Sequence, residues 1–409
     1  MPVFATIIPA QGTAYQIGRR HGELAASAVR SNLESLWRTL HSLGIGPRDL
    51  LPKACSDEAL LSAVRRREIQ GIAWGSRLPY LELLAYNLYH DVAFPEECTV
   101  IMAVGSACAG GRTLFMKNSD QVGSEKMAGP HFHRNKEIYV VQVAQLDGGN
   151  RIVGVSAAGS TGIKMGMNDK GVAAGSNIAR TKELAKRRVD IAQIRASDRT
   201  QLLRDGLEQP SARAAAQRIM AKLMEAPTST PGNIEFADAL EGWIIEGSYD
   251  RVAVEVLRNQ VGCRANRFQI METLNSPQDV SSICRYVRCQ QLLAENADSL
   301  TFEKLIEFSQ DHANGPGPNS ICRHGDHFRD ETSLGGAVIE INAEQPERSR
   351  IAIALGKPCH AWSDPDGWLI LEAGTDESQV PQQFLDGSVW KRFYSEEPYS
   401  PEPSPVASN

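Results

Sequence analysis

The sequence predicts a layered α+β domain, and three observations lead there. Residues 1–97 carry apolar positions at helical spacing. At Cys98 the texture changes to short β-branched runs punctuated by turn residues, and helices and strands then each return once more. Blocks in that order, without regular β-α-β alternation, point to packed layers. No internal repeat is present.

Taken in order, Ile17, Leu24, Val29, Leu33, Leu36, Trp37 and Leu40 recur at helical spacing and predict a helix over about residues 15–43. Ser56, followed by Asp57 and Glu58, reads as an N-cap with an acidic first turn, opening a helix that carries Leu60, Leu61, Val64, Ile69 and Ile72. The stretch PYLELLAYNLYHDV is a third helix with a proline start. From Cys98 on, TVIMAV, RTLFMK, EIYVVQVAQ and RIVGVSAAG read as strands separated by turns at AGGR and DGGN. Asn168, Asp169 and Gly171 mark the turn of a further hairpin. Helices are predicted again near 198–225 and 278–311, and GWIIEG, RVAVEVL, GGAVIEIN and RIAIAL supply the closing strands. Residues 395–409, rich in Pro, Ser and Glu, read as a disordered tail.

The bulk numbers set bounds. A chain of 409 residues is long for one domain but within the size of large layered folds, and it buries a core without staples. A net charge of −6 with interspersed signs gives no basic footprint, so no nucleic-acid partner is expected. No apolar stretch is long enough to span a bilayer, and the first residues lack a charged leader region. The eight scattered cysteines read as reduced thiols, which makes a cytoplasmic protein the expectation. Cys284 and Cys289 have no second pair, so no metal centre is expected.

A cysteine beside an apolar strand is ordinarily a small buried hydrophobe. Cys98 has company that changes this reading. One return strand later comes KNSD, with Asn118 and Asp120; CRANRFQ offers Asn266; GPGPNSICRHG offers Arg323 after a Gly/Pro-rich loop. His131 and His133, and His324 and His327 near that loop, read as loop histidines.

At this combination the sequence resembles the self-processing acyltransferases and amide hydrolases related to the fungal penicillin acyltransferase, within the N-terminal-nucleophile hydrolase superfamily. The likeness runs through GTAYQIGRRHGELAA at 12–26, ECTVIMAV with GRTLFMKNSD, GMNDKGVAAGSN, and SICR before GGAVIEINAEQPERSRIAIALGKP. These pieces, in one order, make the match specific. The resemblance implies a four-layer αββα sandwich that cleaves itself between Glu97 and Cys98. It divides the chain into a helical segment 1–97, a nucleophile-bearing core 98–394 and the tail. Cys98 matches the nucleophile, Asp120 the acidic residue, Asn266 the oxyanion asparagine and Arg323 the closing arginine; Thr99 and Asn118 are supporting candidates. A second SICR ends at Arg285, within a helical stretch, and Arg323 is preferred because its copy precedes the final hairpin. Glu97 stands where the family commonly has glycine, and Ser119 where it often has an aromatic.

The chemistry asks for these residue types independently. Cleavage by an N-to-S acyl shift frees an α-amine whose ordinary pKa of about 7.7–8.0 lets it serve as base for its own thiol. An asparagine amide suits a tetrahedral oxyanion. The expected partners are a small N-acyl amide and the two chains of one precursor, with homo-oligomer formation open and no cofactor implied. KNSD also resembles the self-processing dipeptidases, which usually carry a short propeptide, and that reading ranks second. Glu97 keeps a third open, an uncleaved relative that binds a small amide or a partner.

Overall fold

The computed structural model describes residues 4–122, 137–184, 195–325, 331–364 and 367–385. His131, His133, His327 and the tail 395–409 lie outside them. Thr13 follows the first strand and caps the first helix. Its hydroxyl accepts from the Gln16 N–H at 3.4 Å, and the Gln16 side chain accepts from the Thr13 N–H at 2.9 Å, a reciprocal cap that satisfies two donors.

Helix α1 (Ala14–Ser42) is followed by α2 (Pro47–Asp57), α3 (Ala63–Ser76) and α4 (Tyr80–Ala93). The cap expected at Ser56 is corrected here. Pro47 in the first turn and the Asp49 carboxylate on the Gly46 N–H at 3.0 Å start a helix earlier, and Ser56 lies inside it. The next helix is capped by Ser62, whose hydroxyl accepts from the Arg65 N–H at 3.2 Å.

Helices α1 and α3 touch backbone to backbone through Gly18 and Gly22 against Gly71 and Gly75. A Cβ on Gly75 would lie 2.3 Å from the Arg19 carbonyl oxygen. Replacing this glycine gains at most about 1 kcal/mol of helix propensity, while overpacking typically costs about 1–3 kcal/mol. A branched side chain puts the balance on the unfavourable side. Gly75→Val is therefore expected to lose more than about 1 kcal/mol in urea unfolding; an unchanged midpoint would show that the helices separate freely.

One sheet has eight strands in the order β1-β4-β5-β6-β7-β8-β9-β10 and the other six in the order β11-β2-β3-β12-β13-β14. The first comprises β1 (Phe4–Gly12), β4 (Tyr139–Leu146), β5 (Arg151–Ala157), β6 (Met165–Asn168), β7 (Ala173–Ile178), β8 (Gly232–Ala237), β9 (Gly242–Gly247) and β10 (Val252–Leu257). The second comprises β2 (Glu97–Ala103), β3 (Thr113–Val122), β11 (Val261–Arg264), β12 (Glu331–Ile341), β13 (Arg350–Ala354) and β14 (Trp368–Glu372). Strands β1, β8, β11 and β14 are additions to the sequence reading. Edge strand β1 runs parallel to β4 and carries Pro9, a residue that an edge tolerates because one side of the strand is unpaired. Segment 1–97 is thus not helical throughout: it supplies a strand as well as a helical layer.

The sheets bury Phe4, Tyr139, Val141 and Val153 of the first against Val100, Phe115, Ile339 and Ile353 of the second. On the outer face of the first sheet, α1–α4 cover Ile8 and Val140. There too, α5 (Arg199–Leu207) and α6 (Ala212–Glu225) cover Ile152, Ile234 and Phe236. Helices α7 (Val280–Glu295) and α8 (Phe302–Ser309) cover Ile101, Met116 and Val338 on the outer face of the second. The order is helix, sheet, sheet, helix: an α+β fold in four layers. Among the described residues no helix is long and apolar enough to cross a membrane.

Candidate active site at the start of β2

Strand β2 opens at Glu97 and carries Cys98 as its second residue. In the antiparallel ladder with β3, Glu97 lies opposite Asp120, Cys98 opposite Ser119 and Thr99 opposite Asn118. Side chains alternate across a sheet and directly opposed residues share a face. Val100 and Met102 fill the core between the sheets, so Cys98 and Ser119 face that interior. Glu97, Thr99, Asn118 and Asp120 face α7 and α8. The site is therefore built on both sides of one sheet.

On the interior side the Cys98 thiol is fully buried. Burial pushes it well above its ordinary value; Lys117 opposes this, Glu96 and Asp120 add to it, and Lys164 opposes it. Glu96 anchors the surroundings. It accepts from the Lys117 ammonium at 3.3 Å, from Tyr139 Oη at 3.0 Å and from the Ser119 hydroxyl. Burial works to raise the Glu96 carboxyl, yet Lys117 and then Lys164 hold it down at about 2.

On the helix side Arg323 reaches Glu97 at 2.6 Å and Glu331 at 2.9 Å, and Arg180 pairs with the same two carboxylates. Against burial, Arg323, Arg180 and Arg285 hold the Glu97 carboxyl down at about 2. Asp120 accepts from the Ser333 hydroxyl at 2.6 Å and sits 3.7 Å from Arg323. Its Oδ2 has no hydrogen-bond partner among the described residues. Burial raises the Asp120 carboxyl above its usual range, with Arg323 and Arg285 pulling the other way. Asn118 donates to the Ser309 and Ile321 carbonyls at 2.8 and 3.0 Å, tying the end of α8 to the loop that carries Arg323.

At the strand edge, β11 pairs with β2 only over Val261–Arg264 against Val100–Ala103. Beyond that the ladder stops, and side chains take over. Asn266 Oδ1 accepts from the Cys98 N–H at 3.3 Å. Arg285 donates to Asn266 Oδ1 at 2.7 Å, to the Cys98 carbonyl at 2.9 Å and to Thr99 Oγ1 at 2.9 Å. A guanidinium only donates, so it fixes which end of the Asn266 amide faces the cysteine. Asn266 Nδ2 donates instead to the Ile178 carbonyl at 2.8 Å. Asn266, expected from the sequence as an oxyanion donor, here accepts from the Cys98 N–H and turns its own amide N–H to Ile178.

The structure thus brings Cys98, Asp120, Asn266, Arg323, Thr99 and Asn118 around one strand end. Sequence reasoning passed over Arg285, Arg180, Lys117, Glu96 and Glu331. Two signals were present: the second SICR, and a lysine interrupting the apolar run of β3. Metal ligands were sought by close spacing, and Cys284 and Cys289, five apart on α7, lie on different sides of that helix. A separate group does converge. His312, Cys322, His324 and Cys359 place their donor atoms within 4.8 Å of one another.

No family model matches the chain. It is 28% identical over 193 residues to an uncharacterized protein of Archaeoglobus fulgidus, a stretch covering 41% of this chain and 32% of the relative. The matched stretch thus spans about a third of the length of that curated relative. Among solved structures it is similar to penicillin V acylase from Agrobacterium tumefaciens, with a TM-score of 0.36, 13% identity, and 63% of this chain and 82% of that one covered. It is also similar to a Caenorhabditis elegans ortholog of N-acylethanolamine-hydrolyzing acid amidase, with a TM-score of 0.39, 15% identity, and coverage of 59% and 92%.

Proposed function

We propose that this chain is a self-processing cysteine amide hydrolase or acyltransferase of the N-terminal-nucleophile kind, cut between Glu97 and Cys98 and acting on small N-acyl amides. The observation that supports it best is the handling of the Cys98 nitrogen. Where the β11 ladder stops, a side-chain oxygen that Arg285 holds in place takes its N–H. In the neighbouring ladder pair, Asp120 offers a carboxylate oxygen without a donor. A newly freed amine at Cys98 keeps the Asn266 oxygen as its acceptor.

In this reading the Cys98 sulfur attacks the Glu97 carbonyl carbon, the Glu97–Cys98 C–N bond breaks, and the nitrogen leaves as the α-amine. Water then releases the thioester as the Glu97 carboxylate. In turnover the amine takes the thiol proton, the sulfur attacks the substrate amide, and the amine product departs with that proton. Water or a second amine takes the acyl group from sulfur. Segment 1–97 stays bound, since β1 and α1–α4 complete the first sheet and its cover.

Glu97 also reports on the acyl half of the substrate, because its carbonyl is the first acyl group the sulfur meets. Its side chain balances Arg323 and Arg180 together with Glu331. Once the new terminus withdraws, Arg323, Arg180 and Arg285 are left with the carboxylates of Glu331 and Asp120, and an anionic acyl chain restores the balance. Purified processed enzyme given a panel of small amides is expected to prefer acyl groups ending in a carboxylate over neutral ones of equal length by about 10-fold or more in kcat/KM. Hydroxylamine should capture the acyl group as a hydroxamate. Equal rates for charged and neutral acyl groups would remove the acidic-acyl assignment, and cleavage of dipeptides alone would favour the dipeptidase reading.

One observation favours an uncleaved binding protein instead: the Glu97–Cys98 peptide forms the first step of a regular ladder, paired with Asp120 and Ser119. Intact mass of the purified chain separates the two readings.

A further inference from the structure

We propose that His312, Cys322, His324 and Cys359 form a structural zinc site, apart from the Cys98 centre and independent of the reaction proposed for it. Their four donor atoms lie within 4.8 Å of one another. His324 Nε2 stands 3.2 Å from Cys359 Sγ and 3.9 Å from Cys322 Sγ. The His312 and His324 ring centres are 4.9 Å apart. A tetrahedral zinc with Zn–S of about 2.3 Å and Zn–N of about 2.0–2.1 Å separates its sulfur and nitrogen ligands by about 3.5 Å. The two His324–sulfur distances bracket that spacing.

The donor chemistry selects the ion. Two thiolates and two imidazoles suit zinc, and they give magnesium or calcium none of the oxygens those ions need. Four protein ligands also close the coordination sphere, which marks a structural site; a catalytic one keeps a position open. His312 Nε2 is buried without a hydrogen-bond partner among the described residues. The ligands come from three places: the turn after α8, the loop before β12 and the short helix α9 (Pro358–Ala361). Only Cys322 and His324 are close in sequence; His312 and Cys359 come from other elements, so spacing alone does not reveal the set.

Such a site acts on the loop before β12. Cys322 and His324 flank Arg323, whose N–H donates to Ser333 Oγ at 2.9 Å and whose carbonyl accepts from the Ser333 N–H at 3.0 Å. Clamping both neighbours of Arg323 to α8 and α9 fixes the backbone from which its side chain reaches Glu97. The metal would be a positioning device, remote from the sulfur chemistry.

The test is metal content. Full-length protein purified without chelator should carry one zinc per chain by plasma mass spectrometry. His312→Asn and the pair Cys322→Ser with Cys359→Ser should each lower this at least tenfold, while Cys108→Ser leaves it unchanged. Refolding the wild type with Co²⁺ should give the visible bands of a tetrahedral thiolate complex, a readout that stands even if a variant fails to fold. Wild-type protein that holds no zinc as purified and takes up none on incubation would overturn the proposal. A Cys322–Cys359 disulfide in peptide mapping without reductant would do so equally, since that bond consumes both sulfur ligands.

Discussion

Cys98→Ala is expected to remain a single chain of 409 residues, while the wild type resolves under denaturing conditions into two fragments, the larger beginning at Cys98. The same substitution should lower amide turnover by about 10⁴-fold or more, the scale seen when an enzyme loses its nucleophile. In the proposed mechanism the sulfur is required twice, to cut the Glu97–Cys98 peptide and to carry the acyl group. The alanine chain keeps the strand, since a buried side chain one atom smaller disturbs the ladder little. Intact mass with N-terminal sequencing reads the first effect, and amine release reads the second. Under native conditions the fragments should co-elute, because β1 is hydrogen-bonded to β4 and α1–α4 cover the first sheet. A wild type that stays full length after prolonged incubation sinks the self-processing claim and transfers its weight to the binding-protein reading. Turnover that survives in the alanine variant sinks the cysteine mechanism.

The second large effect belongs to Arg285. It is fully buried and donates to Asn266 Oδ1, the Cys98 carbonyl and Thr99 Oγ1. Arg285→Met takes this donor from the buried Cys98 carbonyl and Thr99 Oγ1, each at a cost of about 1–3 kcal/mol, and leaves Asn266 Oδ1 only the Cys98 N–H. It also frees the Asn266 amide to turn its NH₂ toward the Cys98 nitrogen. A loss of about 3–4 kcal/mol of transition-state stabilisation corresponds to a fall of about 10²–10³ in kcat. KM should change little, because the residue positions the nucleophile and does not touch substrate. Arg285→Lys should not rescue, as one ammonium cannot span three acceptors held in a fork. Arg323→Ala should differ in kind, raising KM for acidic acyl groups more than it lowers kcat. Arg30, exposed on α1, supplies the control as Arg30→Met. An Arg285→Met enzyme indistinguishable from that control would show that the second SICR has no part in the site.

Much of the framework was legible locally. The strand beginning around Cys98, the hairpin turn through Gly171 with its φ of +76°, and the helices near 198–225 and 278–311 follow from periodicity and turn chemistry. Strand β1 was not, because a short apolar run with a proline carries no sign of the β4 edge that recruits it. The cap at Ser62 was displaced to Ser56 for a similar reason: both serines suit the role, and the earlier start at Pro47 decides between them.

The sequence by itself determined which side chains are available, and that Cys98 begins a strand with an Asn-x-Asp strand to follow. Only the tertiary structure decided how they divide. The ladder register puts Cys98 opposite Ser119, and alternation then sends Asp120 and the arginines to the other face of the sheet. The end of β11 leaves the Cys98 nitrogen to Asn266, and the seat of α7 brings Arg285 to hold that amide. Likewise His312, Cys322, His324 and Cys359 meet only because α8, α9 and the loop before β12 pack together. The physical reason is the same throughout. Local periodicity fixes the face a residue takes within its own element, whereas a site needs atoms from distant segments within hydrogen-bonding distance, and only the docking of elements supplies that.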